Sequence, residues 1–252
     1  MESSLGFADA HVAQYVLVAL VAFGASILGG LAGYGTGLVL PIVVAPLVGV
    51  ANVIPVMAVA MALNNASRVL AFWRDIEWPH ARRMLALGLP ACLAGAYGYT
   101  RLDARWVAAL IGGFLLAVVP LRRWLQRAAR RLGPNGQTAA GAGFGFIDGG
   151  MTGTGVILIS ILMAAGVQGA ALIATDAIVS VIMGMAKVVL FGGFARIDAQ
   201  LAVAGVLIGL CTTPGAFVAR RLLQIIPLHV HTAIMEVVVV IGGIGFLWRA
   251  LR

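Results

Sequence analysis

Charge is what this sequence has least of. Only 10% of its 252 residues are Asp, Glu, Lys or Arg, against 62% hydrophobic residues. A water-soluble domain carries about 25% charged residues. A chain this poor in charge cannot clothe a water-facing surface, which leaves a polytopic membrane protein. Period-2 alternation is also missing. The apolar runs approach about 20 residues, the length of a membrane-crossing helix, so they predict helices rather than barrel strands. Cysteine is scarce. Cys92 and Cys211 both lie in apolar runs, with no CxxC and no His/Cys cluster. That argues against a metal site, a disulfide framework or any cofactor. Walker A, HExxH and GxSxG patterns are absent, as are carboxylates at catalytic spacing, so neither an ATPase nor another enzyme is expected. The N-terminal "MESSLGFADAH" lacks a basic n-region and predicts a retained first helix rather than a cleaved signal peptide.

The charge that is present is lopsided, with a net +8. Most basic residues sit in short loops between apolar runs, at Arg82-Arg83, Arg122-Arg123, Arg127, Arg130-Arg131 and Arg220-Arg221. Loop placement is the positive-inside signal and suits lipid headgroups, not nucleic acid.

The expected fold is all-α, with about eight to ten helical segments in one membrane domain spanning 1–252. Apolar runs fall at 12–32, 37–50, 53–73, 82–100, 104–121, 138–151, 155–167, 169–194, 199–218 and 229–250. The polar stretch "RRWLQRAARRLGPNGQT" divides them into a first repeat at about 12–124, a basic linker at 122–137 and a second repeat at about 138–252. Three pairs of stretches match in order. "GYGTGLVLPIVVAPLVGV" is answered by "GMTGTGVILISILMAAGV", "SRVLAFWRDIEW" by "GMAKVVLFGGFARIDAQ", and "LALGLPACLAGAYGYTR" by "VLIGLCTTPGAFVARR". Glycine-rich helices resemble one another by composition, but three colinear matches favour duplication. The basic loops favour an inverted repeat, while Arg249 and Arg252 favour a parallel one.

Each half contains a glycine break followed by a run too short to cross a membrane, at 37–50 and 155–167. Short, Gly-interrupted segments at corresponding positions of two halves point to a transporter's binding site. A helix that starts inside the membrane leaves its first N–H groups unpaired, and those groups together with the helix dipole favour an anion. The candidate binding residues at the breaks are Gly35, Thr36 and Gly37 in the first half, and Thr152, Gly153, Thr154 and Gly155 in the second. Thr36 and Thr154 are placed to cap the short helices. The competing explanation is that the glycines only permit tight helix packing.

Ionisable residues inside apolar segments are costly and mark function by default. Arg68 and Lys187, the sole lysine, are candidate anion partners, although either can snorkel. Asp148, Asp176 and Ser180 are candidates for coupling transport to a proton. The carboxylates can equally neutralise Arg68 or Lys187. Asp176 and Ser180 share a helix face, whereas Asp176 and Lys187 are about three turns apart, too far for direct contact. Asn64 and Asn65 form an amide pair facing two sides of a helix, suited to an oxyanion or to interhelical bonding. Glu236 has no counterpart in the other half. His80, His229 and His231 lie at loop edges and read as interfacial.

On the two glycine breaks with their apolar runs, on "WRDIEW" and its echo "ARIDAQ", and on the Gly-rich helix after each, the chain resembles the sulfite exporter TauE/SafE family of integral membrane transporters. The likeness runs from about Gly24 to Trp248. The family's usual break is close to Gly-x-Gly-Gly-Gly; here "GYGTG" and "GMTGTG" each put a threonine in place of one glycine. The next helix of the family tends to carry an Ala-Thr-Ser-like run, where this chain has "IATDAIVS" and "AVAMALNNAS". The resemblance implies a multi-pass exporter or permease in the bacterial inner membrane for small sulfur-containing anions such as sulfite or organosulfonates. The expected partners are that anion and membrane lipid. An anion channel using the same half-helix site is the alternative, and small-residue faces suit either internal packing or a homodimer.

Overall fold

A computed structural model describes residues 12–32, 35–127, 132–194, 196–222, 240–248 and 250–251. His229, His231, Glu236, Arg130, Arg131, Arg249 and Arg252 lie outside those residues. Among the described residues the chain is helical without strands, as its hydropathy requires. The helices are α1 (Val12–Ala32), α2 (Thr36–Val48), α3 (Val53–Phe72), α4 (Trp78–Thr100), α5 (Ala104–Arg127), α6 (Pro134–Gly150), α7 (Gly155–Ala164), α8 (Gly169–Gly193) and α9 (Ala199–Leu222). A helical run at 240–248 is α10. Short 3-10 turns at Val50–Asn52 and Trp73–Asp75 flank α3.

Boundaries follow local chemistry. Pro134 sits in the first turn of α6, where its missing N–H costs nothing. Gly49, at φ 78°, ends α2. The basic linker expected from residue 122 is helical at its start, because α5 runs on through "RRWLQR" to Arg127. Arginine, leucine and glutamine are strong helix formers, and polarity alone does not end a helix.

Three stretches are long and apolar enough to cross a membrane, at Val50–Asp75, Gly169–Gly193 and Ala199–Ala219. By contrast α2 has 13 residues and α7 has 10. They span about 20 Å and about 15 Å, short of the roughly 30 Å hydrocarbon core. The α3–α4 turn exposes Trp73 and Trp78, whose rings pack edge-on at 6.0 Å. Exposed tryptophans beside charged loop residues suit a membrane–water interface.

Helices α3 and α8 pack against each other, where a Cβ on Gly184 would meet Ala62 at ordinary contact distance. Around them, α4 lies along α6 and α1 along α9. The α4–α6 contact is backbone to backbone. A Cβ on Gly145 would fall 2.0 Å from the Gly88 carbonyl oxygen, and one on Gly149 would fall 2.1 Å from the Cys92 oxygen. Glycine at every fourth position of α6 makes that approach possible. The core itself is apolar, with Leu40, Ile54, Met57, Leu158, Leu162 and Phe191 fully enclosed.

Candidate functional site

The two glycine breaks touch. A Cβ on Gly37 would lie 2.7 Å from the Gly153 backbone nitrogen, and one on Gly153 would lie 2.9 Å from the Gly37 oxygen. Only glycine fits at either position. The turns into the short helices also use backbone that other residues rarely adopt, with φ 127° at Gly35 and 80° at Gly153. In α2 the first N–H groups to reach a carbonyl are those of Leu38 and Val39, on Gly35. In α7 they are those of Ile157 and Leu158, on Thr154. The preceding N–H groups, at Thr36, Gly37, Gly155 and Val156, are the ones a helix start leaves without an intrahelical partner.

The threonines do not cap, contrary to expectation. Neither α2 nor α7 has a side-chain cap. Thr36 is the first helical residue rather than the cap, because Gly35 takes the cap position, and its hydroxyl donates to the Ala25 carbonyl of α1 at 3.0 Å. Thr154 does hold the cap position, but with helical φ and ψ, whereas capping needs an extended residue. Its hydroxyl donates to Asp148 Oδ1 instead.

The breaks open onto a cavity of about 70 Å³. At some 15 Å³ per water position this is room for about five waters, the scale of a small oxyanion rather than a large metabolite. All fourteen candidate residues line it: Gly35, Thr36, Gly37, Asn64, Asn65, Arg68, Asp148, Thr152, Gly153, Thr154, Gly155, Asp176, Ser180 and Lys187. Asn64 and Asn65 therefore meet the same space rather than two sides of α3. Ile54, Met57, Ala58, Met61, Met151 and Gly184 complete the lining and were not foreseen. Apolar residues within apolar helices carry no distinguishing signal.

Four charged side chains converge here as two ion pairs. Lys187 Nζ on α8 donates to Asp148 Oδ2 at 2.8 Å and to the Asp148 carbonyl at 3.0 Å. Cys92 on α4 approaches the same carboxylate, with Sγ 3.7 Å from Oδ2. Arg68 Nη2 on α3 lies 2.8 Å from Asp176 Oδ2 on α8. Arg68 is 4% exposed, so it does not snorkel. Its Nη1 donates to Asn65 Oδ1 at 2.9 Å, which fixes the guanidinium plane. The expected separation of Asp176 from Lys187 holds, since each pairs with a partner on another helix. His80 sits apart at the start of α4, with Nδ1 3.0 Å from Gln137 Oε1.

Formally the four charges cancel. A helix start carries partial positive charge, and the starts of α2 and α7 both line the cavity. Helix N-termini are where phosphates and other anions commonly bind, and here two of them meet at one small polar space.

No curated protein and no solved structure matches this chain. The family described as Sulfite exporter TauE/SafE matches residues 18–246, which takes in both breaks and every cavity residue. With that match over most of its length, the chain belongs to the TauE/SafE family of membrane sulfite exporters.

Proposed function

We propose that the protein is a secondary transporter that binds a small sulfur-containing oxyanion, sulfite or a close relative, between the crossed helix breaks. The observation that carries this reading is the contact of Gly37 with Gly153 beside Arg68 and Lys187, which gathers two helix N-termini and two cations at one cavity. The lining supports a carrier over a channel. Thr36, Asn64, Arg68, Thr154 and Asp176 are all buried, as in an occluded site and unlike the wall of an open pore. The packing supports reading the halves as repeats related by a two-fold axis. The first helix of each set of five lies along the fourth of the other, α1 on α9 and α6 on α4. Rocking of the halves about the fixed site gives alternating access. A bacterial inner membrane is the setting this activity implies.

The three coupling candidates differ in their surroundings. Asp148 is held by Lys187 and Thr154. Asp176 is ion-paired with Arg68, but neither of its oxygens accepts a hydrogen bond among the described residues, so Asp176 is the residue through which a proton couples to transport, with Ser180 one turn along the same helix.

Purified protein melted with a panel of anions tests the site. Sulfite or a related oxyanion raises the melting midpoint, whereas stabilisation by a cation or neutral solute alone rules the site out. In proteoliposomes, saturable countertransport of sulfite is expected, and single-channel currents would favour the pore. Asp176→Asn flattens the response of sulfite flux to an imposed pH gradient; a full response in that variant removes Asp176 from coupling.

A further inference from the structure

Three buried acceptor atoms on cavity residues receive no hydrogen bond among the described residues: Asp176 Oδ1, Asp176 Oδ2 and Asn64 Oδ1. Arg68 Nε is the one buried donor in the same state. Asp176 is 1% exposed and Asn64 4%, so bulk water does not reach them freely. Asp176 Oδ2 lies 2.8 Å from Arg68 Nη2 as an ion pair, so Asp176 Oδ1 and Asn64 Oδ1 are the acceptors left with neither a hydrogen bond nor an ion pair among the described residues. The second carboxylate is different. Asp148 Oδ1 accepts from Thr154, and Oδ2 accepts from Lys187. The cavity thus has a donor pole, made by the helix starts, and an acceptor pole, made by Asp176 and Asn64.

Buried acceptors require donors. A fully ionised oxyanion has none to give. It would satisfy the N–H groups at the breaks while setting its own oxygens against the Asp176 carboxylate. An oxyanion that keeps one hydrogen serves both poles. Charge points the same way. Arg68 on α3, Asp148 on α6 and Lys187 further along α8 are the other charged groups lining the cavity, and α2 and α7 contribute none. With Asp176 ionised the four side chains cancel, so a monoanion leaves one uncompensated charge and a dianion leaves two.

We infer that Asp176, with Asn64, is a specificity filter that admits hydrogen-bearing monoanions, hydrogen sulfite foremost, and rejects sulfate and simple sulfonates. The filter rests on the anion-transport reading and narrows its substrate class. The anion's O–H donates to Asp176 while its remaining oxygens face the starts of α2 and α7. One proton then accompanies each anion on the substrate itself. A site built to bond a substrate hydrogen discriminates strongly against analogues that lack it, because its buried polar groups are left unpaired.

Isothermal titration of the purified protein with three probes is the test. They are sulfite at a mildly acidic pH where hydrogen sulfite predominates, methanesulfonate of equal charge but with no hydrogen on oxygen, and sulfate. Hydrogen sulfite binds roughly tenfold or more tightly than either comparator, the expected penalty for one unmet buried acceptor. Asp176→Asn, which removes the charge at constant shape, improves sulfate binding and collapses the ratio. Equal affinities for the three anions in the native protein overturn the filter and leave the anion site standing. No binding of any of them overturns the anion-transport reading as well. The native ratios decide the matter even where Asp176→Asn does not fold.

Discussion

Lys187→Met destabilises the protein by about 3 kcal/mol, the low end for breaking a buried ion pair by removing one partner. The low end applies because 13% of the Asp148 side chain stays accessible beside the cavity, which softens the desolvation of its stranded charge. Adding Asp148→Asn recovers most of the loss. Asparagine keeps an oxygen for the Thr154 hydroxyl and no longer carries a charge that needs Lys187. Melting midpoints of the two purified proteins in the same detergent check this. If the double variant melts no higher than Lys187→Met, the cost belongs to lost lysine packing and not to the stranded carboxylate. The double variant also separates folding from binding, because it is stable yet lacks one cation of the site. Its melting midpoint responds less to sulfite than that of the native protein.

Gly145→Ala prevents α4 and α6 from packing. The added Cβ would sit 2.0 Å from the Gly88 carbonyl oxygen, and backbone cannot step aside as a flexible side chain can. Overpacking in a tight core costs about 1–3 kcal/mol and more where nothing can move, so the upper end or beyond is expected. Gly143→Ala, on the same helix, is the control. Nothing lies within 4 Å of its Cβ position, and alanine there gains as much as about 1 kcal/mol in helix propensity. The yield of monodisperse protein after detergent extraction falls sharply for the first variant and not for the second. Equal yields would mean that α4 and α6 do not approach as closely as their glycines allow.

The helices were legible because hydrophobic length and glycine breaks are local properties. Most expected segments fall within a few residues of α1 to α9. The cavity residues were legible for a different reason. Polar and charged side chains are so expensive in lipid that those present have to find one another, and Arg68, Asp148, Asp176 and Lys187 do. Who pairs with whom was not legible. The partners of Asp148 and Asp176 lie on other segments, and which helices meet is decided by packing rather than by spacing. The threonine roles are not legible in the sequence, because capping depends on φ and ψ at one residue, which composition does not specify. The α6 ridge of Gly141, Gly145 and Gly149 is spaced by four in the sequence, the period at which one helix face recurs.

The packing of α1 on α9 and of α4 on α6 bears on how the chain is made. A helix inserted early in synthesis meets its lasting neighbour only when a later segment emerges. For α4 the wait is short, since α6 follows after one intervening helix. For α1 it lasts until nearly the whole second half has been translated. Until then the face of α1 that later meets Gly215 of α9, at Ser26, is left to lipid or to a chaperone. Fragments cut between the halves would each contain helices whose partners lie on the other piece, so co-expression of both is the condition for either to persist.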